Sequence, residues 1–200
     1  MPRAARLIIH GEGGAEVALV SEYLRDLWDA YNSMIAFEGL IEDRPYVDRF
    51  LAYPRPTRIS RRRSGRLVAD RLFTIDEIES AVPPSETLEL AAVRLASPGV
   101  WEFLGSLNAL EVIRKYLHDR HERRKDRTYR EGAEQRRLEL ENLHRENAVI
   151  AERIRIARDL GATNRDLAPV LNQLIGQPLR RLDRYQDKGL IGDAEIKEEK

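Results

Sequence analysis

The side chains best placed for chemistry are two histidines and a glutamate that follow each other closely, His118, His121 and Glu122. At spacings of three and four residues they would share one face of a helix, where such side chains can bind a divalent metal. The surrounding segment is polar on every side, so we interpret them as solvated and predict no metal ligand. Glu141 and His144 form a single Glu-x-x-His pair, whereas a di-iron site of the ferritin type needs two.

A glycine-rich segment, Gly11-Glu12-Gly13-Gly14, could hold a phosphate, because backbone N–H groups there would meet the positive end of a helix dipole. Its spacing is not G-x-G-x-x-G, no Lys-Ser/Thr pair follows, and Glu12 and Glu16 would repel an anion. We therefore interpret it as a plain strand-to-helix turn. The chain has no cysteine, four scattered histidines and no Gly-x-Ser-x-Gly elbow, so we predict no catalytic residue and no cofactor.

Six arginines and no acidic residue lie between Arg55 and Arg66, within an irregular, proline-containing stretch at residues 44–66. We expect a loop or the tip of a hairpin there. Such a segment could contact phosphates, although Phe50 and Tyr53 precede the arginines instead of alternating with them, which supports base stacking only weakly. A solvated loop is favoured over a nucleic-acid arm. The candidate contacts of that arm are Arg58, Arg61, Arg62, Arg63 and Arg66.

Composition narrows the class of protein further. The 200 residues include 34 basic and 34 acidic side chains, and neither half of the chain is strongly basic or acidic, so bulk attraction to nucleic acid or to an anionic membrane is not supported. The absence of cysteine excludes a disulfide framework and fits a cytoplasmic protein. The longest run without a charged side chain, residues 167–179, is too short to cross a bilayer, and the basic start lacks the apolar run of a signal peptide.

Hydrophobic periodicity predicts a small α/β head over residues 1–96 with strand-helix-strand-strand order. Alternating or continuous apolar runs predict the strands, and apolar residues at steps of three and four predict the helix. In the last strand the apolar positions fall out of phase, which predicts a bulge or burial on both faces. The predicted elements are a strand at 6–10, a helix at 15–37, a strand at 67–75, a helical turn at 76–81 and a strand at 87–95.

After the turn Ser97-Pro98-Gly99 the pattern predicts helix, and we assign residues 97–160 to a long helix that resembles a coiled coil in part. A stripe with heptad spacing places Asn147 at an a position, where a buried Asn favours a parallel two-stranded coiled coil in one register. The alternative is a hairpin within one chain, in which residues 140–157 pack against residues 167–182. In the first case the stripe pairs two copies, and in the second it belongs to the core.

Residues 161–200 are predicted to form a C-terminal helical module. Pro178 would open a helix, Gly189 would end it in the left-handed conformation, and Leu190 and Ile191 would fold back onto it. The last 23 residues or so resemble the SHOCT motif, a short C-terminal helical module of many bacterial proteins. The matching positions are Leu182, Lys188, Gly189, Leu190, Ile191 and Glu195, whereas Gly192 and Ile196 depart from the family pattern.

The resemblance implies a final short helix after residue 192, a role in oligomerisation, occasional contact with nucleic acid and no catalysis. Together these features predict an α+β fold and a non-enzymatic, self-associating scaffold or adaptor whose head binds a protein partner. The alternative is a nucleic-acid-associated protein that uses the arginine-rich loop. The residues expected to carry self-association are Leu140, Leu143, Asn147, Ile150, Ile154, Leu182 and Ile191.

Overall fold

A computed structural model describes residues 4–11, 14–42, 59–61, 67–69, 74–80, 82–125, 147–159 and 164–198. These residues form strands and helices as in the predicted α+β class, which is confirmed. In chain order the elements are β1 (Ala4–Gly11), α1 (Val17–Glu42), β2 (Ile59–Arg61), β3 (Leu67–Ala69), α2 (Ile75–Ser80), a 3₁₀ turn (Pro84–Glu86), β4 (Glu89–Arg94), β5 (Gly99–Ser106), α3 (Leu107–Lys125), α4 (Ala148–Asp159), α5 (Asn164–Leu171), a π-helical turn (Asn172–Gly176), α6 (Gln177–Arg181), α7 (Asp183–Asp187) and β6 (Ala194–Glu198).

The main sheet has four antiparallel strands in the order β4-β5-β1-β6, and β2 pairs with β3 in a separate ribbon. Leu7 in β1 lies between Phe103 of β5 and Ile196 of β6. Because side chains alternate along a strand, Leu7, Ile9, Trp101 and Phe103 share one face, and all four are buried. The opposite face carries polar pairs such as Arg6 and Glu102, whose charged atoms are 2.7 Å apart.

The long helix predicted for the first half of the chain is confirmed as α1, which extends to Glu42. Residues 29–41 are all buried, and α2, α3, α4, the π-helical turn and α6 all pack against α1. The apolar stripe that predicted an amphipathic helix therefore describes its first turns, whereas its second half is the centre of the helical layer. Polar residues such as Asn32 and Ser33 are buried with it.

The helix expected directly after Ser97-Pro98-Gly99 is wrong, since residues 99–106 form β5. Trp101 and Phe103 face the core and alternate with half-buried Val100 and Glu102, which is the period of a strand. The helix, α3, begins at Leu107. The predicted boundary after residue 96 falls between β4 and β5, which are neighbours in one sheet, so the head continues beyond it.

The C-terminal helices run from Asn164 to Asp187, with a π-helical turn over Asn172–Gly176, and Pro178 lies in the first turn of α6, as predicted. A proline ring clashes with the carbonyl of the residue four positions earlier in an α-helix, and a π-helical turn widens the backbone at that place. The chain therefore stays helical through Pro178. The predicted cap at Gly189 is confirmed, with φ +75°, and Leu190 N–H donates to Tyr185 O at 3.0 Å, as in a Schellman motif.

The final short helix implied by the SHOCT resemblance is absent from the described residues, because residues 194–198 form β6. Ala194 and Ile196 point towards the core, while Glu195 and Lys197 point to solvent, so this short segment has the alternation of an edge strand. β6 pairs with β1, which begins the chain, so the predicted C-terminal module shares the sheet of the head. Membership of the family stays a prediction.

Aromatic and charged contacts hold the C-terminal helices against α1. Tyr23 makes edge-to-face contacts with Trp101 and Tyr185, with ring centroids 5.1 and 5.4 Å apart. Such pairs contribute about 0.5–1.5 kcal/mol each beyond the area that they bury. Asp26 is buried and accepts hydrogen bonds from the Tyr185 hydroxyl at 2.7 Å and from Arg184 Nη2 at 2.8 Å. The carboxylate is buried at low cost because both partners are in place.

Candidate functional site

The most unusual surface of the described residues is β4, an outer strand of the main sheet. All six of its residues are exposed, although the strand belongs to a sheet whose neighbouring strands are largely buried on one face. Leu90 and Val93 are each 47% exposed, and Leu95, just beyond the strand, is 45% exposed. An exposed apolar edge strand is a template for pairing with another strand, and soluble proteins normally cover or charge such an edge.

The backbone of β4 is open on one side. Among the described residues this strand pairs with β5 and with no other strand, so the ladder along its outer edge ends there. An open edge offers N–H and C=O groups in the geometry that another strand needs. Because apolar side chains flank these groups, this edge combines backbone hydrogen bonding with apolar contact.

The bulge predicted for this strand is confirmed as a shift in its register with β5 between Leu90 and Ala92. The alternative prediction, burial on both faces, is wrong, since both faces of β4 are exposed. The bulge changes which residues share a face. Leu90 and Val93 lie opposite Phe103 and Trp101 on the core face, although a regular strand places residues three apart on opposite faces.

Glu89 and Arg94 share the other face of β4. They lie opposite Leu104 and Val100 of β5, two residues that are four positions apart and therefore point to the same side. The strand thus presents an apolar pair on one face and a pair of opposite charges on the other, each with one member near either end. Each pair shares a face because of the bulge, since without it the two members of each pair would lie on opposite faces.

A buried tyrosine connects the segment before β4 to the end of β5. The Tyr31 hydroxyl donates to Glu86 O and accepts from Ser106 N–H, both at 2.8 Å. A Cβ on Gly105 would lie 2.8 Å from the Tyr31 ring, so only glycine leaves room for it. Burial raises the pKa of the Tyr31 phenol to about 12, so the hydroxyl stays neutral and keeps its donor proton at neutral pH. The edge strand is therefore held by a rigid contact.

The residues predicted to carry self-association are mostly core residues of one chain. Ile150, Leu182 and Ile191 are buried in the same cluster as the sheet and α1, and Ile154 is partly buried against it. Side chains already covered within one chain are not available to pair two copies. Leu140 and Leu143 lie outside the described residues. The described part of α4 therefore packs within its own chain, against α1 and α3, and not as the predicted hairpin against residues 167–182.

Asn147 is a helix cap. Its Oδ1 accepts hydrogen bonds from Val149 N–H at 3.1 Å and Ile150 N–H at 3.4 Å, and α4 begins at the next residue. The heptad spacing placed it inside a continuous helix, but the structure places it at a helix start. Its burial, which the sequence predicted, comes from the fold of one chain.

The arginine-rich segment is largely outside the described residues. Arg58, Arg62, Arg63 and Arg66 lie there, and Arg61 is described only as a backbone position in β2, paired with Leu67. β2 and β3 flank residues 62–66 as an antiparallel pair, in agreement with the predicted hairpin. The nucleic-acid interpretation stays a prediction.

The two histidines that opened the sequence analysis lie on α3, and the fold adds a residue that sequence spacing had not connected with them. Asp193, in the turn before β6, has its Oδ1 2.8 Å from His118 Nδ1. Partial burial opposes ionisation of Asp193, but hydrogen bonds from His118 and from Ala194 N–H outweigh it and lower its pKa below the usual range. Sequence reasoning missed Asp193 because it lies 75 residues from His118.

Fold and site together define an α+β protein with an open, apolar sheet edge. No helix in the described ranges is both long enough and apolar enough to cross a membrane. The chain matches no family model, no curated protein and no solved structure.

Proposed function

We propose that the protein is a self-associating scaffold or adaptor, and that two copies pair through the outer edge of β4. The observation that carries the proposal is the full exposure of a sheet strand with large apolar side chains on it. Pairing would continue the main sheet across both copies. The edge would then gain hydrogen-bonded partners and its apolar side chains would leave water.

The charge pattern of β4 favours a second copy as the occupant. A two-fold axis at the centre of the strand brings Glu89 of one copy to Arg94 of the other, twice in each dimer. The same axis brings Leu90 to Val93 on the opposite face. Each opposite-charge or apolar cross-strand pair contributes about 0.2–1 kcal/mol relative to alanine. Because the bulge puts each pair on one face, both sets of contacts form together.

The proposal moves self-association from the helices to the sheet. The seam that the sequence suggested is mostly buried in one chain, whereas β4 is exposed. A dimer formed in this way leaves the helical layer and the C-terminal turn free to bind a further protein, as an adaptor requires. The cysteine-free sequence supports a reducing compartment, so the proposal places the protein in the cytoplasm.

The first test introduces a lysine on the edge strand and, as a control, a lysine on a helix. Val93→Lys puts a charge on the outer strand and should convert the dimer into a monomer, measured by size-exclusion chromatography with light scattering. The control is Ala168→Lys on α5, because Ala168 is exposed and α5 contacts β3 and the π-helical turn. This control should keep the mass of the wild type. A wild type that stays monomeric at the highest soluble concentration would refute the proposal.

A charge exchange separates a second copy from any other partner. Glu89→Arg alone, or Arg94→Glu alone, places like charges opposite each other twice and should weaken the dimer by about tenfold or more. The double variant restores opposite charges and should recover the affinity of the wild type. Recovery is expected only when the strand pairs with itself, so two single variants that dimerise as well as the wild type would contradict this interface.

A further inference from the structure

A histidine, a glutamate and an aspartate from two elements converge beside β6. His118 and Glu122 lie one turn apart on α3, and Asp193 lies in the turn before β6. One ligand atom from each lies within 4.8 Å of the other two. His121 lies nearby, with its Cε1 3.9 Å from the position that a Cβ on Gly192 would occupy. The cluster therefore combines imidazole and carboxylate groups on a single patch of surface.

Gln186 positions the two halves of this cluster. It is buried, and its Nε2 donates to Leu117 O and to Gly192 O, each at 2.9 Å. These carbonyls belong to the residues directly before His118 and Asp193, so one side chain connects both backbones. β1 adds a second connection, because His10 N–H donates to Asp193 O at 2.9 Å. Ligands held on rigid elements in this way lose little freedom when they bind an ion.

We propose that His118, Glu122 and Asp193 bind one Zn²⁺ ion. Imidazole nitrogen and carboxylate oxygen both bind zinc at about 2.0–2.2 Å, which places tetrahedral ligand atoms about 3.4 Å apart. The ligand atoms now lie between 2.8 Å, from His118 Nδ1 to Asp193 Oδ1, and at most 4.8 Å apart, so the tetrahedral spacing falls within the present range. Three protein ligands leave at least one coordination position for water or for His121. The imidazole favours zinc over Mg²⁺ and Ca²⁺, which prefer oxygen ligands alone.

The bound ion would connect α3 to the start of β6. His118 and Asp193 are joined by a hydrogen bond when no ion is bound. Zn²⁺ would replace that hydrogen bond and its proton with two metal–ligand bonds, and Glu122 would add a third. The ion would therefore stabilise the docking of the last strand on the sheet. None of the three ligands lies in β4, so this inference stands or falls independently of the proposed dimer.

The test is isothermal titration calorimetry of the full chain with zinc chloride. We expect one equivalent to bind to the wild type. His118→Ala and Asp193→Asn should each weaken binding by about tenfold or more. The matched control is His10→Asn, since His10 lies at the end of β1 close to the same turn but outside the ligand set. It should bind zinc as the wild type does. Circular dichroism of each variant checks that it is folded.

A second readout follows stability. A roughly hundredfold excess of Zn²⁺ over its dissociation constant should raise Tm by about 5–10 °C in the wild type and in His10→Asn. The same zinc concentration should raise Tm of His118→Ala by about half as much or less, since its dissociation constant is about tenfold higher or more. The inference is wrong if the wild type binds no zinc, if the ligand variants bind as tightly as the wild type, or if His10→Asn loses binding to the same extent.

Discussion

The two outer strands of the main sheet, β6 and β4, differ in how far their side chains are covered. β6 is covered on its core face by α3 and carries Glu195 and Lys197 on the other, so little apolar surface is left. β4 carries Leu90 and Val93 at an edge that exposes almost half of each side chain. Charged residues and a covering helix are the usual protection of an edge strand. Among the described residues both outer strands have one unpaired edge, and β4 is the one of the two that carries large exposed apolar side chains.

The supports of the two edges differ as well. The turn into β6 is held by the Gly189 cap, by the buried amide of Gln186 and by two backbone hydrogen bonds with His10. The segment before β4 is held by the Tyr31 hydroxyl. The residue after β4, Leu95, is held by a hydrogen bond from Gly14 N–H to its carbonyl oxygen at 3.1 Å. Both strands are thus well positioned, and the difference between them lies in what covers their side chains.

The largest effect on the free energy of unfolding is expected when one leucine beside each edge is replaced by alanine. Leu190→Ala, in the buried turn before β6, should lower the free energy of unfolding by about 2–5 kcal/mol, because it leaves a cavity. Leu90→Ala, on β4, should lower it by less than about 1 kcal/mol in the monomer, because its side chain is half in water. Urea denaturation at low protein concentration measures both. Equal losses would show that the two edges are equally buried.

An alkaline titration tests the tyrosine that supports β4. The phenol has a pKa of about 12 in the fold, against a usual value of 10.0. Between these values the unfolded chain loses the proton while the folded chain keeps it, so stability falls as pH rises. Tyr31 alone contributes about 2–3 kcal/mol to stability, which is present in full below pH 10 and is lost as the pH rises through about 12.

Tyr31→Phe isolates this contribution. The variant should be less stable than the wild type at neutral pH by about 1–2 kcal/mol, because Glu86 O and Ser106 N–H lose their buried partner. Its stability should then fall less steeply between pH 10 and pH 12. Urea denaturation at several pH values gives both slopes, and identical slopes would show that Tyr31 does not titrate in this way.

The smallest effect on stability is expected at Asn147, where substitution also tests whether two copies associate through the sheet or through the helices. Asn147→Ala removes the cap of α4 and should cost about 1 kcal/mol of stability, whereas Asn147→Asp, which caps equally well, should cost less. Neither change should alter the mass of the assembly, measured by light scattering, since Asn147 acts within one chain. A change of oligomeric state in Asn147→Ala would favour the helical seam instead.

Much of the fold could be predicted because its signals are local. The periods of residues 6–10 and 15–37 predicted β1 and α1, and the phase change in residues 87–95 predicted the bulge of β4. The position of Gly189 at the end of a helical pattern predicted the left-handed cap. Each of these features follows from a few neighbouring residues.

The errors arise where the pattern is short or the partner is distant. Trp101, Leu104 and Leu107 recur at steps of three, which suggested a helix. In β5, however, Trp101 and Phe103 are two residues apart and face the core together. The five residues of β6 are defined by pairing with β1, at the other end of the chain. The approach of Asp193 to His118 depends on the same long-range pairing, so no local spacing could reveal it.

The most direct test of the account is hydrogen–deuterium exchange of the wild type at low and high protein concentration, followed by mass spectrometry of peptides that cover residues 88–95 and 194–198. If β4 pairs with a second copy, its peptide should exchange more slowly as the concentration rises, while the β6 peptide stays the same. Constant exchange of the β4 peptide, over a concentration range in which light scattering shows the change from monomer to dimer, would place the interface elsewhere and contradict the central claim.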